Sequence, residues 1–588
     1  MRGPTLVVSS VIFVGGDEMA KFCPQKERSH WWSECRWDGL LVSVCSINCT
    51  SLPHSYTCIL ESLDRRVDSH SFQKIDAGYG MLVRQVKVNF HTFVPNRMAT
   101  KSISLTPPEQ LFRKCLLDCR DRMSDVSGMK ELQLRWTGGW VRDKLLGTTS
   151  HDIDVALSTM TGWQFGQALQ AYMKDHGSQY EDEAKRQGFK AEIKNLHKIE
   201  ANPEKSKHLE TITTRMFGMD VDFVNLRKEV YDEKSRNPQM EFGTPEEDAM
   251  RRDACVNALF YNLDTQQVED FTARGLKDMN AKIIRTPLAP YQTFEDDPLR
   301  VLRLIRFAAR LGYSIHQDSL EAMSDPSIHE ALRLKISRER VGVEIGKIMT
   351  GPDPLGGLMQ IHQLGLYRTV FADPDDTTAH IDDATFATAI GTLQQVLKQS
   401  SFLCSILRPE TDVTIAWSLA AYVPYMNDEE AAVAAAKAAI KATNMISKIL
   451  GEAIRYRIKI RALTSKVSSD KATRAEVGVA LKECGKSWRS HVLYSLLCDV
   501  VEEDFRVVVD RYTKFVKFIQ QEQLQGAAEL KPIINGNDIK SALEISKAGS
   551  WLKQALDLVT EWQFAHPKGT AEEAKEMIKL KKDQFPTG

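Results

Sequence analysis

The chain lacks any uninterrupted apolar run near the roughly 20 residues that a membrane-crossing helix needs, so no bilayer span is predicted among its 588 residues. It also lacks an excess of charge. With 77 Lys and Arg against 78 Asp and Glu, the formal net charge is −1. Nothing global draws the chain to nucleic acid, and any RNA contact has to come from local patches. Zinc-binding patterns are absent too: five of the eleven cysteines (Cys23, Cys35, Cys45, Cys49, Cys58) fall in the first sixty residues, with neither CxxC spacing nor suitably placed histidines. The other six are scattered through a chain that reads as intracellular and reduced. Leu6–Val14 is short, follows a single arginine and has no clean small-residue cleavage site, so it does not read as a secretory signal. No internal repeat emerges. What is present is enough apolar content, 43%, to bury several cores, and three or four domains are expected.

The densest chemical signal lies in residues 136–157, where the glycine turn Gly138-Gly139 is followed by Asp152 and Asp154 in an apolar run. On a strand, side chains two apart share a face, so both carboxylates converge on one small volume. Two like charges held so close favour a cation. Hard carboxylate oxygens suit magnesium, and a pair of divalent metals roughly 3.5–4 Å apart would activate an attacking hydroxyl and hold leaving phosphates. Gly138-Gly139 allows close backbone approach, with N–H groups facing phosphate oxygens. Arg142 adds a candidate charge-assisted clamp on a triphosphate. Taken singly, Gly-Gly is a turn and Asp-x-Asp a solvated strand end; together they point to catalysis.

Gly138-Gly139-x-Val-Arg-Asp followed by Asp-x-Asp resembles the signature of the nucleotidyltransferase superfamily, and its surroundings resemble the class II CCA-adding enzymes, the eukaryotic-type tRNA nucleotidyltransferases. The likeness continues through residues 202–211, 221–227 and 241–248. It extends through Arg251-Arg252-Asp253-Ala254-Cys255-Val256-Asn257-Ala258 and Asp296-Asp297-Pro298-Leu299-Arg300-Val301-Leu302-Arg303, is dense from about 103 to 350 and thins afterwards. The resemblance implies an α+β fold, a small mixed-sheet nucleotidyltransferase head followed by an all-α neck, body and tail. The expected division is 98–252 head, 253–350 neck, 351–480 body and 481–588 tail, preceded by an unassigned extension, 1–97.

The later motifs also make chemical sense on their own. Asp297 and Arg300 are three apart in what reads as a helix opening at Asp-Pro, hence on one face. Cytosine and adenine each present an amino donor beside a ring-nitrogen acceptor, which an aspartate and an arginine match. Uracil and guanine present the opposite order, and a buried mismatch leaves polar groups unpaired. The resemblance assigns these two positions to CTP and ATP recognition. It assigns Arg251, Arg252 and Asp253, with Asn257, to ribose and phosphate contacts, although Cys255 departs from the threonine or serine expected there. Asp222, in strand-like Met219–Phe223, is either a third acid near the metals or a structural strand-end acid. Arg303 and Arg306 join Arg310 in a basic stripe within about 60° on the same helix, facing phosphates or solvent. Ser337 is a plausible N-cap of the next helix, in which the resemblance gives Glu339 and Arg340 a bracing role.

Between Lys441 and Arg474 basic residues outnumber acids, and Arg455, Arg457, Lys459 and Arg461 are candidates for tRNA binding; a solvated helix face is the competing reading. Residues 103–127 read as a helix, and strands are expected near 132–137, 151–157, 210–217 and 219–225. Glu181–Lys207 reads as a charged loop over the site, and apolar spacings of three and four predict helices from about 253, plainest at Glu429–Ala442. Pro532–Ile539 reads as a turn before a helix. Residues 1–97, with Trp31, Trp32 and Trp37, show no sustained period.

The expected activity is template-free addition or repair of the 3′ CCA end of tRNA from CTP and ATP, with Mg²⁺, releasing pyrophosphate. The partners are the tRNA 3′ end with its acceptor and T arms, and the setting is the nucleus, cytoplasm or mitochondrion. A poly(A) polymerase, an enzyme that adds only CC or A, and a catalytically silent RNA-binding scaffold are the competing readings; the sequence does not set the oligomeric state. Because family-like sequence starts just after Met98, that methionine is expected to be a natural start, with the stretch before it a gene-model extension or an organelle leader. Mass spectrometry of the endogenous protein is expected to find no peptide before residue 98, and abundant ones would refute this.

Overall fold

The computed structural model describes residues 11–13, 32–37, 40–45, 102–127, 132–150, 152–190, 197–199, 211–230, 239–376, 381–398, 401–407, 413–545 and 549–585. The chain divides into two compact units, Met1–Ala99 and Thr100–Gly588. In the first, where the sequence showed no period, Val11–Phe13, Leu40–Cys45 and Trp32–Trp37 form an antiparallel sheet with Leu40–Cys45 in the middle.

In the second unit, a seven-stranded sheet is built from β1 (Leu134–Thr137), β2 (Asp152–Leu157), β3 (His197–Ile199), β4 (Thr211–Met216), β5 (Met219–Asn225), β6 (Phe260–Asn262) and β7 (Val268–Glu269). Its order is β7-β6-β1-β2-β5-β4-β3. All pairings are antiparallel except β2 with β5. β1 is buried along its whole length, whereas β2 alternates at its start, with Asp152 and Asp154 open and Ile153 buried. Period-2 patterning therefore puts two acids on one face and apolar residues on the other.

Helices α1 (Pro107–Ser127), α2 (Gly139–Leu145) and α3 (Gly162–Arg186) complete the head's core. Thr161 and Gln164 make a capping box that fixes the start of α3. A Cβ at Gly162 would stand 2.4 Å from the carbonyl oxygen of Phe223, so glycine lets the helix reach the sheet. Short α2 is pinned from below. The rings of Trp136 and Trp140 meet edge to face at 4.7 Å. Buried Glu109 on α1 accepts from Trp140 Nε1 (3.1 Å) and Lys144 (2.7 Å). These bonds hold the glycine turn still.

Two expectations change here. Phe260–Asn262, inside a stretch expected to be helical, is a strand that pairs with β1, so the head sheet runs past the expected boundary at 252. A continuous apolar run does not distinguish strand from helix by period alone. Glu181–Arg186, expected in a loop, is the last turn and a half of α3, supported by ion pairs Lys185–Asp182 (3.7 Å) and Arg186–Glu183 (2.5 Å). The remainder of that predicted loop lies largely outside the described residues.

Beyond the sheet, helices pack around a core continuous with the head's that runs to Ala527 and takes in Phe564 from the C-terminal helices. The helices used below are α4 (Pro245–Met250), α5 (Leu299–Leu311) and α6 (Arg338–Met349). The last three helices, Gly536–Leu543, Trp551–Ala565 and Ala571–Leu580, enclose a separate small core of Ile539, Leu543, Trp551, Val559 and Ile578. The expected body–tail boundary at 480 falls inside helix Arg474–Cys484; the change of core comes some fifty residues later. Asn535 caps the expected helix after Pro532 through a capping box with Asp538.

Glycine also decides where α6 crosses helix Glu429–Ile440. A Cβ at Gly342 would lie 2.2 Å from the carbonyl oxygen of Ile440, whereas one at Gly346, a turn on, meets nothing within 4 Å. Helix propensity alone would favour alanine at either by about 0.5–1 kcal/mol. Overpacking of a close helix crossing costs about 1–3 kcal/mol. Gly346→Ala is therefore expected to raise the thermal midpoint slightly and Gly342→Ala to lower it, and calorimetry of the two variants measures both signs.

Candidate active site

The parallel register of β2 and β5 sets Asp152 beside Asp220 and Asp154 beside Asp222, while Thr137 of β1 faces Asp154 from the other side. Asp152, Asp154 and Asp222 line one side of a cleft of about 1680 Å³ whose walls include Arg252, Asp253, Asp297 and Arg300, with Asp220 just outside it. The cleft brings together residues up to 210 positions apart, from Thr137 to Lys347. Of the four acids, Asp222 is half-buried and accepts a hydrogen bond from Thr213 Oγ1 at 2.7 Å, and Asp220 lies 3.8 Å from Arg215. Asp152 and Asp154 have no such bond among the described residues. Asp154 is open along its cleft edge but otherwise surrounded by protein. Burial is the main reason its carboxyl is pushed up to about 6; Asp222, Asp152 and Asp248 add repulsion, and Arg252 pulls the other way.

Gly138 occupies the left-handed region at φ 72°, which favours glycine, and a Cβ there would stand 3.1 Å from Arg252 Nη1 and 3.5 Å from Asp154 Oδ2. Its N–H, expected to face phosphate, instead donates to the Leu259 carbonyl at 3.1 Å. The turn's contribution is clearance beside Asp154. Arg142, expected to clamp a triphosphate, is buried at the back of the cleft. Its guanidinium bonds Asp143 Oδ1 (2.8 and 2.7 Å) and the side-chain oxygen of Asn257. Asn257 in turn donates to Asp253 at 3.2 Å, so both residues act as scaffold in this arrangement.

Arg251 and Arg252 share one anchor, Asp248 of α4, which is 2% exposed. Burial opposes the Asp248 charge, but the two guanidiniums hold its carboxyl below the usual range. Arg252 also donates to the Asn257 carbonyl at 3.0 Å and lies over the Phe260 ring at 5.1 Å, leaving it directed at Asp154. Asp253 is buried and bonded by Arg303 at 2.8 and 2.6 Å. Burial again works against the charge, and Arg303 more than offsets it.

On the opposite wall, α5 begins at Leu299 with Pro298 at its N-cap, so Asp297 precedes the helix rather than sharing a helical face with Arg300, its Oδ1 accepting from the Leu299 N–H at 3.2 Å. Its Oδ2 accepts from Arg340 at 3.2 Å. Glu339 is exposed and lies 3.7 Å from Lys441, away from this wall. The bracing acid is Glu344, buried, paired with Arg306 at 2.5 Å and Arg303 at 3.7 Å. Ser337 occupies the N-cap position of α6 without a side-chain cap bond. Along α5, Arg303, Arg306 and Arg310 all hold protein carboxylates, and Arg300 has no ion pair among the described residues. It is the arginine of this helix left for a ligand.

The basic run expected to grip RNA is spent internally. Arg455 pairs with Glu429, Lys459 with Glu483, and Arg461 with Glu502 and Glu503. Arg457, 5% exposed, bonds Glu502 and Asn427 at 3.2 Å each. Buried in that pairing, Arg457 is not available to a partner, and the other three offer little net charge. Sequence reasoning missed Asp248, Glu344 and Asp143; Asp248, three before Arg251 and four before Arg252, carried the helical spacing of an ion pair.

Comparison with known proteins agrees with this geometry. The profile of the Poly A polymerase head domain matches residues 134–285, which extends past Phe260–Asn262 as the sheet does. The mitochondrial CCA tRNA nucleotidyltransferase of Candida glabrata is 38% identical over 522 residues, covering 81% of this chain and 96% of that protein. Its namesake from Saccharomyces cerevisiae is 36% identical over 516 residues, covering 80% and 92%. Among solved structures, the Thermotoga maritima CCA-adding enzyme complexed with tRNA shares the fold at a TM-score of 0.54 and 16% identity, over 81% of this chain and 96% of that one.

The crowding at Asp154 has a measurable consequence. A carboxyl raised to about 6 from 3.8 destabilises the folded state wherever it is charged; that cost is full above pH 6 and fades as pH falls towards the unfolded value. Two units correspond to roughly 3 kcal/mol at most. In EDTA at pH 8, Asp154→Asn is expected to raise the melting temperature by a few degrees, and the gain is expected to shrink by pH 5. A loss of stability at pH 8 would show that Asp154 is a structural strand-end acid.

Proposed function

The chain belongs to the CCA tRNA nucleotidyltransferase family, and we propose that the cleft between β2 and α5 completes the 3′ end of tRNA from CTP and ATP, releasing pyrophosphate. The observation that carries the reading is that Asp152 and Asp154, neither bonded through its side chain among the described residues, share one cleft with Asp297 and Arg300. A nucleotide spanning that cleft presents its phosphates to one wall and its base to the other. The mitochondrial designation of two relatives fits an intracellular setting.

Family membership implies a divalent metal, and the residues present fit magnesium. Among the described residues no three His, Cys, Asp or Glu side chains form a closed ligand set, and magnesium commonly takes one or two carboxylates together with water and substrate phosphates. Asp152 and Asp154 would hold it, with Asp222 beside them already bonded to Thr213. When bound, magnesium lowers the pKa of the attacking 3′ hydroxyl and neutralises developing charge on the phosphates.

The chain's own groups account for the rest. Arg252, fixed by Asp248 and directed at Asp154, adds positive charge where the α-phosphate reacts, and its rigid anchoring avoids reorganisation during the step. Asp253 is held by Arg303 and Asn257, so a ribose hydroxyl would add to an existing network rather than build one. Asp297, held by Arg340, accepts from the exocyclic amino group of cytosine or adenine, while Arg300 donates to the ring nitrogen. Uracil and guanine would set donor against donor. Base choice therefore needs no nucleic-acid template.

Purified protein with Mg²⁺ is expected to extend transcripts ending before CCA, after C and after CC, each to CCA and no further, from CTP and ATP. Open-ended A addition would identify a poly(A) polymerase, and no incorporation would leave a binding scaffold. Combined Asp152→Ala and Asp154→Ala is expected to lower addition by at least about 10²-fold. Arg300→Ala is expected to admit UTP; an equal loss with all nucleotides would make Arg300 structural.

A further inference from the structure

Resting on the reading of Asp297 and Arg300 as the base-selecting pair, we propose that Arg310, which lies beyond that pair, is a specificity-positioning residue acting through Asp143. Helix α5 is fastened to the head at two levels. Near its start Arg303 bonds Asp253 at 2.8 and 2.6 Å; in its last turn Arg310 Nη2 bonds Asp143 Oδ2 at 3.0 Å. The two arginines are seven residues apart, close to two full turns and roughly 10 Å along one face. The buried apolar face of α5 and the Arg306–Glu344 pair seat the helix, but with one polar attachment to the head its small tilts would be set by packing alone. Two on one face fix those tilts, and with them the direction of Arg300, which has no ion pair of its own among the described residues.

The two footings are joined inside the head. Asp143 Oδ1 accepts from Arg142, Arg142 donates to Asn257, and Asn257 donates to Asp253. The path from Arg310 to Arg303 is therefore a closed chain of hydrogen bonds through buried side chains. Asp143 is nearly inaccessible at 4% exposed, whereas Arg310 lies half open. An exposed ion pair contributes little to stability, so removing Arg310 leaves the fold intact. What it frees is the angle of α5. The converse change is worse, because Asp143 separates two cations, Arg142 and Arg310, and its loss leaves them facing one another.

Arg310 also borders the cleft, and direct contact with the nucleotide's phosphates is the reading to be separated from positioning. The experiment measures single-turnover addition of CTP and of UTP to a transcript ending before CCA, for the wild type, Arg310→Gln, Arg310→Lys, Asp143→Asn and the double variant Asp143→Asn with Arg310→Gln. Positioning predicts that Arg310→Gln lowers the CTP-over-UTP ratio about three- to thirtyfold, chiefly through the rate with UTP, and that Arg310→Lys restores most of it. Asp143→Asn should do more harm, and the double variant should fall short of the sum. A rise in KM for CTP and UTP by one factor, with their ratio kept, would overturn the proposal in favour of phosphate contact. Wild-type values for every parameter in Arg310→Gln would overturn it too. Failure of the wild type to add CTP would instead overturn the functional reading on which this rests.

Discussion

The parallel pairing of β2 with β5 puts Asp152, Asp154, Asp220 and Asp222 at one sheet edge, and the rest of the cleft follows from having to tolerate that much negative charge. The register is what does it: directly paired residues on adjacent strands face the same way, so an Asp-x-Asp on one strand lies beside the Asp-x-Asp on the next. The fold answers unequally. Asp220 and Asp222 have Arg215 and a threonine hydroxyl, but Asp154 has only the more distant pull of Arg252. Among the described residues Asp152 and Asp154 are left without such a partner, and both face the cleft. A protein selected for stability alone would have an amide there.

Around this centre, positive charge is supplied by arginines that are themselves held by buried acids. Asp248 carries Arg251 and Arg252, Asp253 carries Arg303, Glu344 carries Arg306, and Asp143 carries Arg142 and Arg310. A free arginine would lose about 2 kcal/mol of rotamer entropy on gripping a ligand, and part of that loss is met in advance when a carboxylate fixes the side chain. The arrangement also limits net charge. Arg300 apart, the guanidiniums named here are each matched behind by a carboxylate, so the site adds little to the charge of a chain whose formal net charge is −1. Local dipoles of fixed Asp–Arg pairs do what a bulk basic patch would do elsewhere.

Much of this was legible in the sequence, and the misses share a cause. β2 and β5 were readable because each alternates where its aspartates fall, and Asp152, Asp154, Asp297 and Arg300, singled out by residue type and spacing, do line one cleft. The strand at Phe260–Asn262 was not, since an unbroken apolar run carries no period and its fate is decided by a partner strand over 120 residues away. Arg142, Asn257 and Arg457 were assigned to ligands, whereas the fold buries them against Asp143, Asp253 and Glu502. Charge type is visible in a sequence. Which charges are already neutralised is a property of long-range contacts, and for arginines that question decides between binding and scaffolding.

The same distinction explains why the selecting wall and the catalytic wall are on different parts of the chain. The acids sit on a sheet whose strands are mutually hydrogen-bonded and cannot shift singly, while Asp297 and Arg300 sit at the start of a helix joined to that sheet by ion pairs. Ion pairs are directional but soft: they set an angle without locking a backbone register. A pocket that must take two cytidines and then an adenosine needs the reacting phosphate fixed and the base wall adjustable by small amounts. Backbone hydrogen bonding on one side and side-chain tethers on the other meet both needs within one cleft, and the buried network through Asn257 ties the adjustable side to the fixed one.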